Sequence, residues 1–164
     1  MEKMDLSLLN FRPITANDME ISYQVYHSTR EEEMAKTGWT TEEIENFVRM
    51  QFNIQHKQYT EHYQGAKFDI IYVDKTPVGR LYLHETKKEM RIMDIAVLTK
   101  YRNMGIGTKI FRDLINISDE KNKILSIHVE IYNPAIKLYE RLGFEMSELR
   151  GMYYFMERKP KKQD

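Results

Sequence analysis

The sequence contains no cysteine. That excludes a disulfide framework, a thiol nucleophile and a Cys-ligated zinc site, and makes an intracellular protein the economical reading. Neither sign of charge is in excess, since 25 Lys and Arg stand against 25 Asp and Glu. No global field therefore draws the chain to nucleic acid or to an anionic membrane. No segment approaches the about 18 consecutive apolar residues that a membrane span needs, and the apolar run in "MEKMDLSLLNF" is short and interrupted by Asp5. A soluble, cytoplasmic protein is the expectation. There is no internal repeat and no Gly/Ser-rich or Pro-rich linker, and 164 residues suit one well-buried core. Residues 1–164 are accordingly read as a single domain. The five histidines show no metal-ligand spacing, with His56 and His62 on different sides of a helix, so no metal site is expected. The eleven methionines are scattered and read as adaptable core filler.

What is present alternates between the two periodicities of regular structure. "LSLLNFRPI" reads as a strand ending at Pro13, and "NDMEISYQVYHSTREEEM" as one helix opened by Asn17 or Asp18. A second helix starts at Thr40 or Thr41, where Thr-x-x-Glu resembles a capping box, and runs to about Tyr63. "KFDIIYVD" and "VGRLYLHE" flank the turn "DKTP" as a hairpin, and "MRIMDIAVL" is a third strand. From Ile106 the apolar residues Ile106, Ile110, Leu114 and Ile117 follow a helical period. "KILSIHVEI" returns to strand, Asn133 and Pro134 open another helix, and Gly143 closes it. "FEMSE" and "GMYYFME" make a final strand pair, and "RKPKKQD", from about residue 158, reads as a charged, frayed tail. The class is mixed α/β with a central sheet.

The informative stretch is "YRNMGIGTKIF", which sets Gly105 and Gly107 between a strand and a helix. Such a turn lets backbone N–H groups converge without obstruction by Cβ atoms, and the helix start adds unpaired donors and the positive end of its dipole. A dinucleotide fingerprint would want a third glycine near Ile110, and a Walker loop would want Gly-x-x-x-x-Gly-Lys-Ser/Thr; "NMGIGTK" supplies neither. A purely structural tight turn is the remaining alternative.

"DIAVLTKYRNMGIGTKIFRDLI" followed by "HVEIYNPAIKLYERLGFE" resembles the GNAT superfamily of acetyl-CoA-dependent N-acetyltransferases, in both characteristic blocks and in their order. The first block is the Arg-x-x-Gly-x-Gly loop, carried by Arg102, Gly105 and Gly107. The second is "NPAIKLYERLGF". Together they span about Arg91 to Glu145, whereas residues 14–65 match only in being helical. Asn103 replaces a frequent glycine and Thr99 a frequent proline, and neither change removes a phosphate-binding donor.

The resemblance implies a GNAT-type fold, a mixed central sheet with splayed central strands flanked by helices, and acetyl-CoA as co-substrate. It implies that backbone groups of Ile95, Ala96 and Val97 pair with the pantetheine arm as an added strand. Arg102, Asn103, Met104, Gly105, Ile106, Gly107 and Thr108 would hold the pyrophosphate, and Asn133 would cap its helix and contact the pantetheine. Tyr139 stands where the family places a tyrosine near the CoA sulfur, as a proton donor to the departing thiolate. It also shares a helical face with Ala135, Leu138 and Leu142, so a core aromatic is the other reading. A backbone N–H near Val97 would polarise the carbonyl.

For the general base the positions used by some members hold Arg91 and Met93, neither a plausible base, so Asp94 and His128 rank level, with a water chain as a further option. Direct attack by the amine follows from the lack of cysteine to carry the acetyl group. On the second helix the apolar face Ile44, Phe47 and Val48 continues into Gln51, Gln55, Gln58 and His62, which makes Gln51, Gln55 and Gln58 candidates for the acceptor pocket. The acceptor is a small-molecule or peptide amine, a homodimer is compatible with the reading, and neither nucleic acid nor a membrane is a partner. The other class of function is a CoA-binding module for regulation or assembly without turnover.

Overall fold

A computed structural model describes residues 3–161 of the chain. A short 3-10 turn, Leu6–Leu8, leads into β1, Leu9–Pro13. The next segment, expected as one helix, forms two: α1, Met19–Ser28, and α2, Glu31–Ala35. The reason is local. Ser28 Oγ donates to the Val25 carbonyl at 2.8 Å and Thr29 Oγ1 to the Tyr26 carbonyl at 2.6 Å, and such hydroxyls compete for the helix's own acceptors. Entry to α1 is set by Asp18, whose Oδ2 accepts from the Thr15 N–H at 2.9 Å. The long helix α3, Thr41–His62, has Thr40 as its N-cap, with Oγ1 accepting from the Glu43 N–H at 3.1 Å.

The remaining elements are β2 (Lys67–Val73), β3 (Thr76–Glu85), β4 (Glu89–Val97), α4 (Ile106–Glu120), β5 (Ile124–Glu130), α5 (Ile136–Arg141), β6 (Glu145–Arg150) and β7 (Tyr153–Arg158). The strands form a seven-stranded mixed sheet in the order β1-β2-β3-β4-β5-β7-β6. The chain separates into two compact units: the part up to Tyr82 with Asp94–Gly107, and Leu83–Met93 with the part from Thr108 onward.

In the first unit α1 and α3 meet through Tyr23, Tyr26, Val48 and Phe52, joined by Met34 of α2. The Phe52 ring meets Tyr23 edge-on with centroids 5.5 Å apart, a favoured aromatic geometry. Each large apolar side chain withdrawn from water in this way contributes about 1.5–3 kcal/mol. Arg12 covers the Tyr72 ring at 4.0 Å on the β1–β2 pair.

In the second unit β5 is parallel to β4 and antiparallel to β7, with β6 at the edge. The β4–β5 ladder runs from Glu89↔Ile124 to Ile92↔Ile127 and ends there, although β4 continues to Val97 and β5 to Glu130. Arg158, expected in a frayed tail, instead ends β7 and is 6% exposed. Its guanidinium donates to Asp119 Oδ1 at 2.7 Å, and the Lys161 N–H donates to the same oxygen at 3.0 Å. A buried charge is tolerated because it is paired. The last residues of the expected tail, 162–164, lie outside the described residues. Among the described residues no helix is long and apolar enough to cross a membrane.

Candidate active site

The strand-to-loop transition after β4 is built from backbone constraints. The Leu98 N–H donates to the Val78 carbonyl at 2.8 Å, holding the end of β4 to β3, and a 3-10 turn, Thr99–Tyr101, reverses the chain. A Cβ on Gly79 would collide with the Ala96 carbonyl oxygen, so the close approach of these strands requires glycine there. Arg102 then folds back, and its Nε donates to the Val97 carbonyl at 3.1 Å. Asn103 has φ 63° and Gly105 φ 85°, the left-handed conformations that a sharply curled loop needs.

Ile106, 2% exposed, anchors the start of α4. Among the described residues no backbone acceptor takes the N–H groups of Asn103, Gly105, Ile106 or Gly107. A Cβ added at Gly107 would meet no atom within 4 Å. Uncommitted amides, an open glycine and a helix start together fit a bound anion such as a pyrophosphate. Ile95, Ala96 and Val97, half-buried, form the last stretch of β4 ahead of this loop. Thr108 follows in the first turn of α4.

Also in the first unit is a polar cluster that sequence reasoning missed. Arg80 of β3 is 1% exposed. Nε donates to Asp94 Oδ2 at 2.6 Å, Nη1 to Ser22 Oγ at 3.2 Å and the Tyr82 hydroxyl at 3.3 Å, and Nη2 to Gln55 Oε1 at 2.8 Å. Two of the sequence candidates, Asp94 and Gln55, are thus brought together by a residue absent from the candidate set. The available signal was an arginine inside an otherwise apolar strand, "VGRLYL", which demands buried partners. Gln51 is half-buried, and its Oε1 has no hydrogen-bond partner among the described residues. Gln58 and His62, expected on the inward face, are exposed. Towards the end of α3 cover is limited to Tyr59 and Tyr63, whose rings lie 6.1 Å apart, and the inward line runs Phe52, Gln55, His56, Tyr59.

In the second unit His128 is the first residue of β5 beyond the β4 ladder. Its ring lies 4.8 Å from that of its cross-strand partner Phe155. Arg91 and Arg150 cover the same Phe155 ring at 5.3 and 5.1 Å. Desolvation, helped by these two guanidinium groups, holds the His128 pKa below its ordinary value of 6.5, so the imidazole is neutral at pH 7. Tyr139 of α5 is 6% exposed, with its ring 5.0 Å from Phe111 and 6.0 Å from Phe144. Asn133 is exposed, and its Oδ1 accepts from the Ala135 N–H at 2.9 Å. The helix begins later than expected, at Ile136 with Ala135 as its N-cap, so Asn133 and Pro134 lie in the turn ahead of it and Asn133 is not the cap. Among the described residues no group of His, Cys, Asp and Glu could hold a metal ion.

Residues 24–144 match the acetyltransferase (GNAT) family. The chain belongs to that family. The match takes in α3, the Gly105–Gly107 loop, His128 and Tyr139. N-alpha-acetyltransferase 50 of Danio rerio is 36% identical over 97 residues, 55% of this chain and 58% of that protein. An N-alpha-acetyltransferase of Sulfurisphaera tokodaii is 33% identical over 70 residues, 41% of this chain and 42% of its own. The chain spans about half the length of the curated relatives it matches. The PaiA N-acetyltransferase of Thermoplasma acidophilum, solved in complex with coenzyme A, has the same fold at 18% identity. Its TM-score is 0.68, over 92% of this chain and 98% of that one. This GNAT fold is the one the two motif blocks imply.

Proposed function

We propose that this GNAT chain is an acetyl-CoA-dependent N-acetyltransferase whose acceptor is a primary amine, and specifically the α-amine of a peptide or protein. The observation that carries the reading is the curled loop at the end of β4, with its uncommitted amides and the opening of α4 behind them. The relatives named as N-alpha-acetyltransferases support the α-amine. A cytoplasmic setting belongs to the reading, and neither nucleic acid nor a membrane enters it.

Acetyl-CoA, when bound, supplies the activated acyl group. The amides from Asn103 to Thr108, with Arg102 beside them, hold its pyrophosphate, and the backbone of Ile95, Ala96 and Val97 aligns the pantetheine, with Asn133 a further contact. An N–H near Val97 polarises the carbonyl to be attacked. An α-amine, with a pKa of roughly 8, is mostly protonated at pH 7 and must lose a proton before attack. His128 is the better general base, because its imidazole is neutral and can accept that proton. Asp94 is committed to Arg80, with Oδ2 taking both contacts from its guanidinium. Tyr139 donates a proton to the departing sulfur.

The test is steady-state release of CoA thiol from acetyl-CoA against a panel of peptide N-termini, free amino acids, polyamines and aminoglycosides. Thiol release that depends on a peptide α-amine is the expected result. CoA binding with no turnover on any amine would favour a binding module instead.

A further inference from the structure

A buried cation is weak evidence for stability, because an apolar side chain of the same volume avoids the cost of desolvation. Arg80 is retained in the core of the first unit with every donor engaged: Nε and Nη2 on Asp94, Nη1 on Ser22 and Tyr82, Nη2 also on Gln55. The rings of Tyr82 and Tyr26 lie 4.5 and 5.3 Å from the guanidinium carbon and exclude water from it. What this group holds therefore matters more than what it adds to stability.

The orientation of both held side chains is determined by chemistry. A guanidinium has five donors and no acceptor, so the Gln55 amide must turn its oxygen towards Arg80 and its NH2 group away. Asp94 uses Oδ2 for both of its contacts with Arg80, while Oδ1 makes no hydrogen bond among the described residues and the side chain is 26% exposed. Because Nη2 touches both partners, the amide donor of Gln55 and the carboxylate acceptor of Asp94 that Arg80 leaves unused belong to neighbouring side chains.

We propose that Asp94 and Gln55, positioned by Arg80, are specificity-determining contacts for the acceptor. Asp94 Oδ1 accepts an N–H of the attacking amine, and Gln55 Nε2 donates to an acyl oxygen on the neighbouring carbon. Only an amine with a carbonyl next to its own carbon satisfies both groups, as at a peptide N-terminus. A polyamine or a lysine side chain leaves the Gln55 donor unmet. Asp94 in this arrangement orients the amine and does not remove its proton. Arg80 touches no substrate and is a positioning residue. The proposal rests on the N-acetyltransferase reading above.

The test uses the full chain, acetyl-CoA and a set of hexapeptides differing in the first residue. For the best of these, an isostere is made in which the first amide is replaced by a trans-alkene, which removes the carbonyl oxygen and preserves shape. The parent should prefer the true peptide by at least about tenfold in kcat/KM, because a donor that the bound substrate shields from water and leaves unpaired is heavily penalised. Gln55→Glu keeps an oxygen on Arg80 but has no donor to offer. Its peptide KM should rise about tenfold and its preference over the isostere should vanish, with CoA affinity unchanged. Gln55→Met should behave alike, and Arg80→Met should lose the same preference by freeing Gln55. If Gln55→Glu and Gln55→Met are folded, active and still discriminate against the isostere, the specificity assignment is overturned while the acetyltransferase reading stands. If the parent acetylates none of the hexapeptides, that reading fails and takes the assignment with it.

Discussion

At Tyr139 packing and chemistry call on different atoms of one side chain. The ring, 6% exposed against Phe111 and Phe144, belongs to the core of its unit, whereas an acid role needs only the hydroxyl. Tyr139→Phe keeps the ring volume. It should lose roughly 10²-fold in turnover with melting temperature and CoA affinity nearly unchanged, as steady-state rates and thermal melts would read. Unchanged turnover, with chemistry shown to limit the rate, would leave Tyr139 a core residue only. The core side of Tyr139 was legible in the sequence because Ala135, Leu138 and Leu142 share its face at the helical period. Arg80 was not, although period-2 alternation puts it between Val78 and Tyr82 and so implies burial. Its partners Ser22 and Gln55 lie 58 and 25 positions away, and no local pattern names them. Arg158 was hidden in the same way. Composition assigns it to a charged tail, while its partner Asp119 is 39 positions earlier.

At the scale of elements, the loop opening α4 separates what glycine does for the fold from what it does for a ligand. Gly105 is required by its own backbone, since φ 85° is strained for any residue with a Cβ. Gly107 has an ordinary helical backbone and open space around it, so alanine there relieves the chain of a flexible residue. Gly107→Ala should therefore raise the stability of the ligand-free protein by roughly 0.5–1 kcal/mol. It should also weaken CoA by at least tenfold, about 1.4 kcal/mol, because the new methyl occupies space the pyrophosphate needs. Thermal melting without ligand and calorimetric titration with CoA read the two effects, and equal CoA affinity would remove the pyrophosphate from that turn. Elements defined by local chemistry were legible: the Thr40 cap of α3, the glycine loop and the closing Gly143. The break between α1 and α2 was not, because it depends on which hydroxyls of Ser28 and Thr29 turn back onto the helix. Nor was the insertion of β7 between β5 and β6, since a hairpin announces that its strands pair but not which one meets the sheet. The charges of β6, exposed along its whole length, are the signature of an edge.

At the scale of the whole molecule the balanced charge leaves no large field, and pH acts through particular groups. Two histidines, one in each unit, have pKa values below the ordinary 6.5. Desolvation is the main cause at both, aided by Arg80 at His56 and by Arg91 and Arg150 at His128. A group whose folded pKa is depressed binds more protons when unfolded, so stability rises with pH across that window and is lost as pH falls below 6.5. Glu20, Glu45, Glu85 and Asp119, held below the ordinary carboxylate range chiefly by hydrogen bonds to neighbouring side chains, act in the same direction but only near pH 4 and below. Asp69 opposes them. Burial raises its pKa above 3.8, so the folded state takes its proton first and gains stability as pH falls through that interval. Two separate acid limbs should result, the first beginning near pH 6.5 and the second near pH 4. His56→Gln together with His128→Gln should remove the first limb and leave the second, as melting temperatures across pH 3–8 would show. A first limb that survives in the double variant would mean that these imidazoles titrate alike in the folded and unfolded chain. In that case the neutral, desolvated state assigned to His128 as the amine's proton acceptor would fall with it.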